Sequence, residues 1–202
     1  MNIIVAAPDA LWNELVTEKE GIKWNRVKDA VAFANHPADA VYFNLMDDAA
    51  CHHYPASLKM VIINSVNDTL LEKKLSENVC RINAWPGFLL KDTWEITGKD
   101  DALLPAIFIA LDKKIVMVQD EPGFIAARIL AMIINEAYFA LADEVSTKKE
   151  IDIAMKLGTN YPKGPFEWSE EIGIKKIHTL LLKLSKSDER YLPSPLLTAA
   201  SK

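Results

Sequence analysis

From Asp120 the chain reads Asp-Glu-Pro-Gly-Phe-Ile-Ala-Ala-Arg and runs straight into Ile-Leu-Ala-Met-Ile-Ile-Asn-Glu-Ala-Tyr-Phe-Ala-Leu141. A carboxylate at Asp120 or Glu121 can cap a helix there. Pro122 already has the φ of a first turn and lacks an N–H that would go unbonded anyway. The stretch therefore predicts a long helix opening at Pro122. Phe124, Ile125, Ile129, Leu130, Met132, Ile133, Ile134, Ala137, Tyr138, Phe139 and Leu141 leave it almost no polar face. Such a helix is buried in a large protein, buried in an oligomer or inserted in a membrane. Arg128, Asn135 and Glu136 interrupt the roughly 20 apolar residues that lipid requires. The expectation is the central helix of a helical half, with a second subunit covering part of its surface and no membrane insertion.

Upstream of this helix the apolar runs are short and rich in β-branched residues: Asn2–Ala7, Ile22–Val27, Ala40–Leu45, Leu58–Ile63, Val79–Ala84 and Ile115–Val118, with Trp94–Thr97 as a further short strand. Helical candidates lie between them at Ala10–Lys19, Asp29–Ala34, Asp68–Leu75 and Ala102–Leu111. Strands alternating with helices predict a parallel, doubly wound sheet. After Asp120 the strand signals stop. Thr147-Lys-Lys-Glu150 is a capping box, Gly158 suits a left-handed helix end, and Ile177, Leu180, Leu181 and Leu184 mark one face of a last helix. The predicted organisation is α/β over residues 1–119 and all-α over 120–202.

Half of the 202 residues are apolar, enough for one or two proper cores. A net charge of −5 without a basic cluster argues against nucleic acid. Cys51 and Cys80 are too few and too scattered for a disulfide scaffold. Met1–Ala7 has no basic leader and reads as a first strand rather than a signal peptide, so a cytoplasmic location is expected.

Several spaced motifs carry a family resemblance: Asp120-Glu-Pro-Gly-Phe-Ile125, Asn135-Glu-Ala137, Glu150-Ile-Asp152 with Lys156-Leu-Gly158, and Tyr161-Pro-Lys-Gly-Pro-Phe166. Over roughly residues 113–197 the chain resembles the C-terminal domain of 3-hydroxyacyl-CoA dehydrogenases. The resemblance implies a Rossmann-like doubly wound parallel sheet followed by a helical, 6-phosphogluconate-dehydrogenase-like C-terminal domain. It also implies NAD as cofactor, acyl-CoA as ligand, a homodimer through the C-terminal helices and a place in fatty-acid metabolism. It weakens towards the N-terminus, where the first half is short for the family.

A dinucleotide site needs glycines directly after the first strand, so that the backbone can approach the pyrophosphate and offer its N–H groups. Aligned on the family's Gly-x-Gly-x-x-Gly, the three glycine positions fall on Ala6, Pro8 and Leu11. Pro8 removes a donor, and Asp9 brings a negative charge. After the second strand Asp29 is the nearest acid for a ribose hydroxyl, while Arg26 or Lys28 would suit a 2′-phosphate if the first loop worked. NAD is therefore implied by resemblance and expected not to bind.

Val79-Cys-Arg-Ile-Asn-Ala-Trp-Pro-Gly-Phe88 resembles the family strand that carries the catalytic histidine, which falls on Asn83. An amide cannot accept the hydroxyl proton near neutral pH. The partner glutamate falls on Glu95, the family's serine on Ser65 or Val66, and an asparagine on Ala127, next to Arg128. Arg128 is read as structural, requiring an acid partner if buried. Lys163-Gly-Pro-Phe166 reads as a turn plus core, with Tyr161, Phe166 and Trp168 as candidate groove residues. Trp168-Ser169 stands where the family commonly has Leu-Asp. Cys51-His52-His53 and His36 read as loop residues rather than metal ligands, because consecutive side chains diverge. His178 reads as a packing or solvated residue beside the last apolar stripe.

Two readings follow. In the first, the chain is a family member that has lost hydride transfer and binds a ligand or partner as a dimer. In the second, it is an active NAD(P)-dependent 3-hydroxyacyl-CoA or hydroxy-acid dehydrogenase with altered motifs. A purely structural subunit is the third possibility.

Overall fold

The computed structural model describes residues 1–47, 49–99 and 102–202. The chain divides into two compact units, Met1–Phe124 and Ile125–Lys202.

In the first unit, β1 (Asn2–Ala6), β2 (Lys23–Val27), β3 (Val41–Asn44), β4 (Met60–Asn64), β5 (Val79–Ile82), β6 (Thr93–Thr97) and β7 (Lys114–Met117) form one sheet of order β2-β1-β3-β4-β5-β6-β7. All neighbours run parallel except β5 and β6. Every predicted strand is present, and the β1/β3 adjacency puts the reversal of strand order beside β1, as in a Rossmann-like sheet. Side chains alternate across it. Ile3, Val5, Phe43, Ile62 and Ile82 pack on one face against Leu11 and Leu15 of α1 (Asp9–Leu15) and Leu104, Ile107 and Phe108 of α2 (Leu103–Leu111).

Ile4, Tyr42, Val61 and Ile63 pack on the other face. Among the described residues no α-helix covers that side. Its lid is Phe33 from the 3-10 turn Ala30–Asn35, Ala49 and Ala50 from the 3-10 turn Ala49–Cys51, and Tyr54, Leu58, Leu70 and Leu75.

Three predicted helices of this unit change form. The first ends at Leu15 rather than Lys19, because the β-branched Val16 turns extended and Thr17 gives its carbonyl to the Trp24 indole at 3.0 Å. Asp29–Ala34 becomes a 3-10 turn, with the Asp29 carboxylate accepting from Val31 N–H. Asp68–Leu75 closes after one turn. Thr69 and Glu72 cap its start reciprocally, while Lys74 enters the left-handed region at φ 53° and Leu75 N–H reaches back to the Leu70 carbonyl.

In the second unit, α3 (Ala126–Ala142) packs against α5 (Pro165–Ile172), α6 (Ile174–Ser185) and α7 (Pro195–Ala200), and α4 (Lys148–Thr159) packs against α5. The helix starts at Ala126 and not at Pro122, because Gly123 and Phe124 sit at φ 86° and 49° and cannot continue a right-handed turn. Neither Asp120 nor Glu121 caps it. Ala127, Ala131, Ile134 and Tyr138 face the core, with Ile177, Leu180, Leu181 and Leu184 of α6 buried as the spacing predicts. Buried Asn135 donates to the Leu192 carbonyl at 2.9 Å and accepts from Ser194 N–H at 2.8 Å, tying down the segment before α7.

The Thr147/Glu150 capping box opens α4 as predicted. Its end does not fall at Gly158, which stays helical. Asn160 at φ 56° makes the left-handed cap instead. No helix of the described residues is long and apolar enough to cross a membrane.

Candidate functional site

The sheet carries two of the predicted site residues to one place. Asn83 follows β5 directly and Glu95 sits in β6, the neighbouring antiparallel strand, so the fold brings residues twelve apart in sequence side by side. The Asn83 carbonyl oxygen accepts from Trp85 N–H at 3.2 Å, which fixes the amide's orientation and turns its NH2 towards the Glu95 carboxylate at 3.5 Å. At that length the second contact is weak. Buried Asn83 can donate to a ligand oxygen but accepts no proton, and Glu95, half-buried, is the one member of the pair that can act as a base.

Ser65 is held in a different role. Its hydroxyl donates to the Asp68 carbonyl at 2.7 Å, and its own carbonyl accepts from Arg81. The alternative position, Val66, gives its carbonyl to Gly123 N–H.

A cluster beside these residues escaped the sequence reading. Arg81, fully buried in β5, donates from Nε to Asp120 at 2.6 Å, from Nη1 to the Ser65 carbonyl at 3.0 Å and from Nη2 to the Glu121 carbonyl at 2.6 Å. Its guanidinium carbon lies 4.4 Å from the Phe124 ring centre. The Asp120 carboxylate also accepts from Leu70 and Leu71 N–H. Burial pulls the guanidinium below its ordinary pKa, and the hydrogen bond and charge of Asp120 oppose that. The signal was legible: an arginine inside an apolar parallel strand requires an acid brought from elsewhere.

At the predicted nucleotide turn, Ala6 ends β1, Pro8 precedes α1 and Leu11 is buried within it. Arg26 of β2 reaches across, donating to the Ala7 carbonyl at 2.9 Å and to Asp9 at 2.5 Å, with its guanidinium over the Trp12 ring. A dinucleotide's pyrophosphate would meet a carboxylate here, one backbone donor short, and an arginine already engaged by that carboxylate. These residues do not fit the group.

The remaining predicted positions lie in the helical unit. Ala127 is fully buried in α3 and offers no polar atom. Arg128 is half-buried, with its guanidinium over the Tyr191 ring at 5.8 Å. Phe166 is core, in an edge-on pair with Tyr138 at 5.0 Å. The glycine before it has a steric reason: a Cβ on Gly164 would lie 2.2 Å from Asp152 Oδ1. That close approach lets Asp152 accept from Phe166 N–H at 2.8 Å and Glu167 N–H at 3.3 Å, capping α5 from another helix.

Cys51 is exposed, and no group of three metal-ligating side chains forms among the described residues. His178 is half-buried in α6, its Nε2 buried without a hydrogen-bond partner.

Residues 123–202 match the sequence profile of a family described as 3-hydroxyacyl-CoA dehydrogenase, C-terminal domain. The 3-hydroxyadipyl-CoA dehydrogenase of Escherichia coli (strain K12) is 36% identical over 128 residues, covering 61% of this chain and 27% of that protein. A 3-hydroxybutyryl-CoA dehydrogenase of Bradyrhizobium diazoefficiens is 40% identical over 103 residues, covering 48% of this chain and 35% of that one. The chain thus spans roughly a quarter to a third of the length of these curated relatives. Among solved structures, an (S)-3-hydroxybutyryl-CoA dehydrogenase from Ralstonia eutropha aligns with a TM-score of 0.71 over 98% of this chain and 92% of that one, at 17% identity. That likeness is one of fold.

Proposed function

The chain belongs to the 3-hydroxyacyl-CoA dehydrogenase family through its helical half, and from that premise we propose that it is a dimeric, ligand-binding member in which hydride transfer is lost or much reduced. The observation that carries this reading is Asn83. By the family resemblance it takes the place of the catalytic histidine, and its carbonyl oxygen is held by Trp85 N–H with its NH2 turned to Glu95. Removing a 3-hydroxyl proton needs a base there, and an amide supplies none. The Arg26–Asp9 contact across the β1–α1 turn supports the same reading for NAD.

Acyl-CoA is the proposed ligand class, by analogy with what the relatives' names state, and fatty-acid metabolism the setting. The proposed second subunit would cover the exposed Ile125 and Ile129 at the start of α3, which are 52% and 55% accessible. Light scattering then gives twice the 22.6 kDa protomer mass.

The test of activity combines calorimetry with turnover. Titration with NADH, NADPH and their oxidised forms gives no heat and no thermal stabilisation, whereas a ligand at 100 times its Kd would add about 2.7 kcal/mol. 3-Hydroxybutyryl-CoA gives no cofactor reduction, and an acyl-CoA panel raises the melting temperature. The half-buried Glu95 carboxylate favours a second reading, an active NAD(P)-dependent dehydrogenase using Glu95 as base. Cofactor reduction that Glu95→Gln abolishes would establish it and sink the first.

A further inference from the structure

We propose that the helical unit carries a binding site for a small carboxylate with an apolar body, in a pocket to which neither Asn83 nor Glu95 contributes. The pocket has a volume of about 560 Å³ and is open to solvent, framed by Tyr138 of α3, Lys148 of α4, Phe166 and Ser169 of α5, and Lys175 and Lys176 of α6. Its floor is the edge-on Tyr138–Phe166 pair, an apolar surface suited to a ring or short chain. Lys148 Nζ stands over both rings, 5.9 Å from the Tyr138 centre and 5.4 Å from the Phe166 centre. Beyond these rings it makes no ion pair among the described residues.

Two further features select an anion. Two of the lining lysines, Lys148 and Lys175, make no ion pair among the described residues, and they outnumber the one lining carboxylate, Glu170. This excess lies within a chain whose overall charge is −5. A positive concavity on an acidic protein focuses negative ligands at that point. The second feature is the hydroxyl pair in the wall. Tyr138 Oη and Ser169 Oγ, both buried, lie 3.4 Å apart and share one hydrogen bond. Two hydroxyls carry two donors, and the mutual bond uses one of them, so the other is left for an acceptor.

A carboxylate in place of Ser169 would occupy the donor and cut the local charge. Helix α6 begins at this rim with Gly173 as its cap and no side-chain cap bond, which adds the favourable end of a helix dipole. The ligand's carboxylate is thus recognised by lysines, a hydroxyl and a helix start, and its body by two rings. The site stands whether or not hydride transfer survives.

An NMR titration of the full chain with benzoate, hexanoate and inorganic phosphate tests this. Benzoate and hexanoate give saturable shifts at Ser169, Gly173, Ile174 and Lys175, and phosphate binds more weakly because it lacks the apolar body. The exposed charge reversals Lys148→Glu and Lys175→Glu, which leave the melting temperature unchanged, each weaken benzoate by about tenfold. Ser169→Asp does the same. Absence of saturable shifts at these residues, phosphate binding as tightly as benzoate, or unaltered benzoate affinity in the folded Lys148→Glu protein would each overturn the site.

Discussion

Arg81 enters a strand whose other members, Val79, Cys80 and Ile82, are apolar and buried, and three separate oxygen acceptors hold its guanidinium. Asp120 supplies the countercharge from after β7, so removing it leaves a buried cation. Breaking such a pair by deleting one partner costs about 3–5 kcal/mol. Asp120 keeps some contact with solvent, so Asp120→Ala is expected at the lower end, about 3 kcal/mol, measured as a shift in urea midpoint. The ion pair Asp9–Arg26 is exposed on its carboxylate side, so Asp9→Ala changes stability by about 1 kcal/mol or less. Equal losses in the two variants would mean that burial does not separate the pairs. Sequence reading assigned Asp120 to a helix cap because a carboxylate before proline is a local signal. The arginine that claims it lies 39 residues away, a pairing that only the sheet brings about.

At the scale of elements, the seven strands were legible because a buried parallel strand announces itself in β-branched runs bounded by turn residues. The helices on the second face were not, since one-turn and 3-10 forms keep the same apolar spacing while a single left-handed residue such as Lys74 stops them. Asn83 and Glu95 were legible as positions, but the amide's orientation depends on a backbone N–H that no motif reveals. Helix α5 shows how much a short element owes to its caps. Gly164→Ala drives a Cβ into Asp152 and is expected to destabilise by about 1–3 kcal/mol, as overpacking does.

The same end of α5 responds to pH. The Lys156 hydrogen bond, then Gly164 N–H, hold the Glu167 carboxyl below its ordinary pKa. A carboxyl lowered in the folded state stabilises above its unfolded pKa, and that contribution disappears as pH falls through the folded value. Burial raises Asp152, so its ionised form opposes folding as pH climbs past the ordinary aspartate range. Glu167→Gln therefore lowers stability at neutral pH and leaves it unchanged at strongly acidic pH. Urea titrations at the two pH values show a smaller acid loss in the variant than in the parent chain.

For the whole molecule, the question is where the first unit ends. Composition changes from strand-rich to helical near residue 119, yet the segment just beyond it completes the sheet unit's core. Asp120 and Glu121 ligate Arg81, Gly123 N–H bonds the Val66 carbonyl at 2.8 Å, and the Phe124 ring lies against the guanidinium. A fragment of residues 1–119 keeps every strand but leaves Arg81 buried without its carboxylate, its second carbonyl or its ring. A fragment of residues 1–124 keeps all of them. The longer fragment is expected to unfold cooperatively in urea, and the shorter to be less stable by about 3 kcal/mol or more, or to remain unfolded. Replacing Arg81 by methionine in the shorter fragment removes the uncompensated charge and restores part of that loss, because an apolar side chain of similar size leaves no charge to solvate. Equal stability of the two fragments would show that the five residues after 119 belong to the sheet unit by position alone, without holding it together.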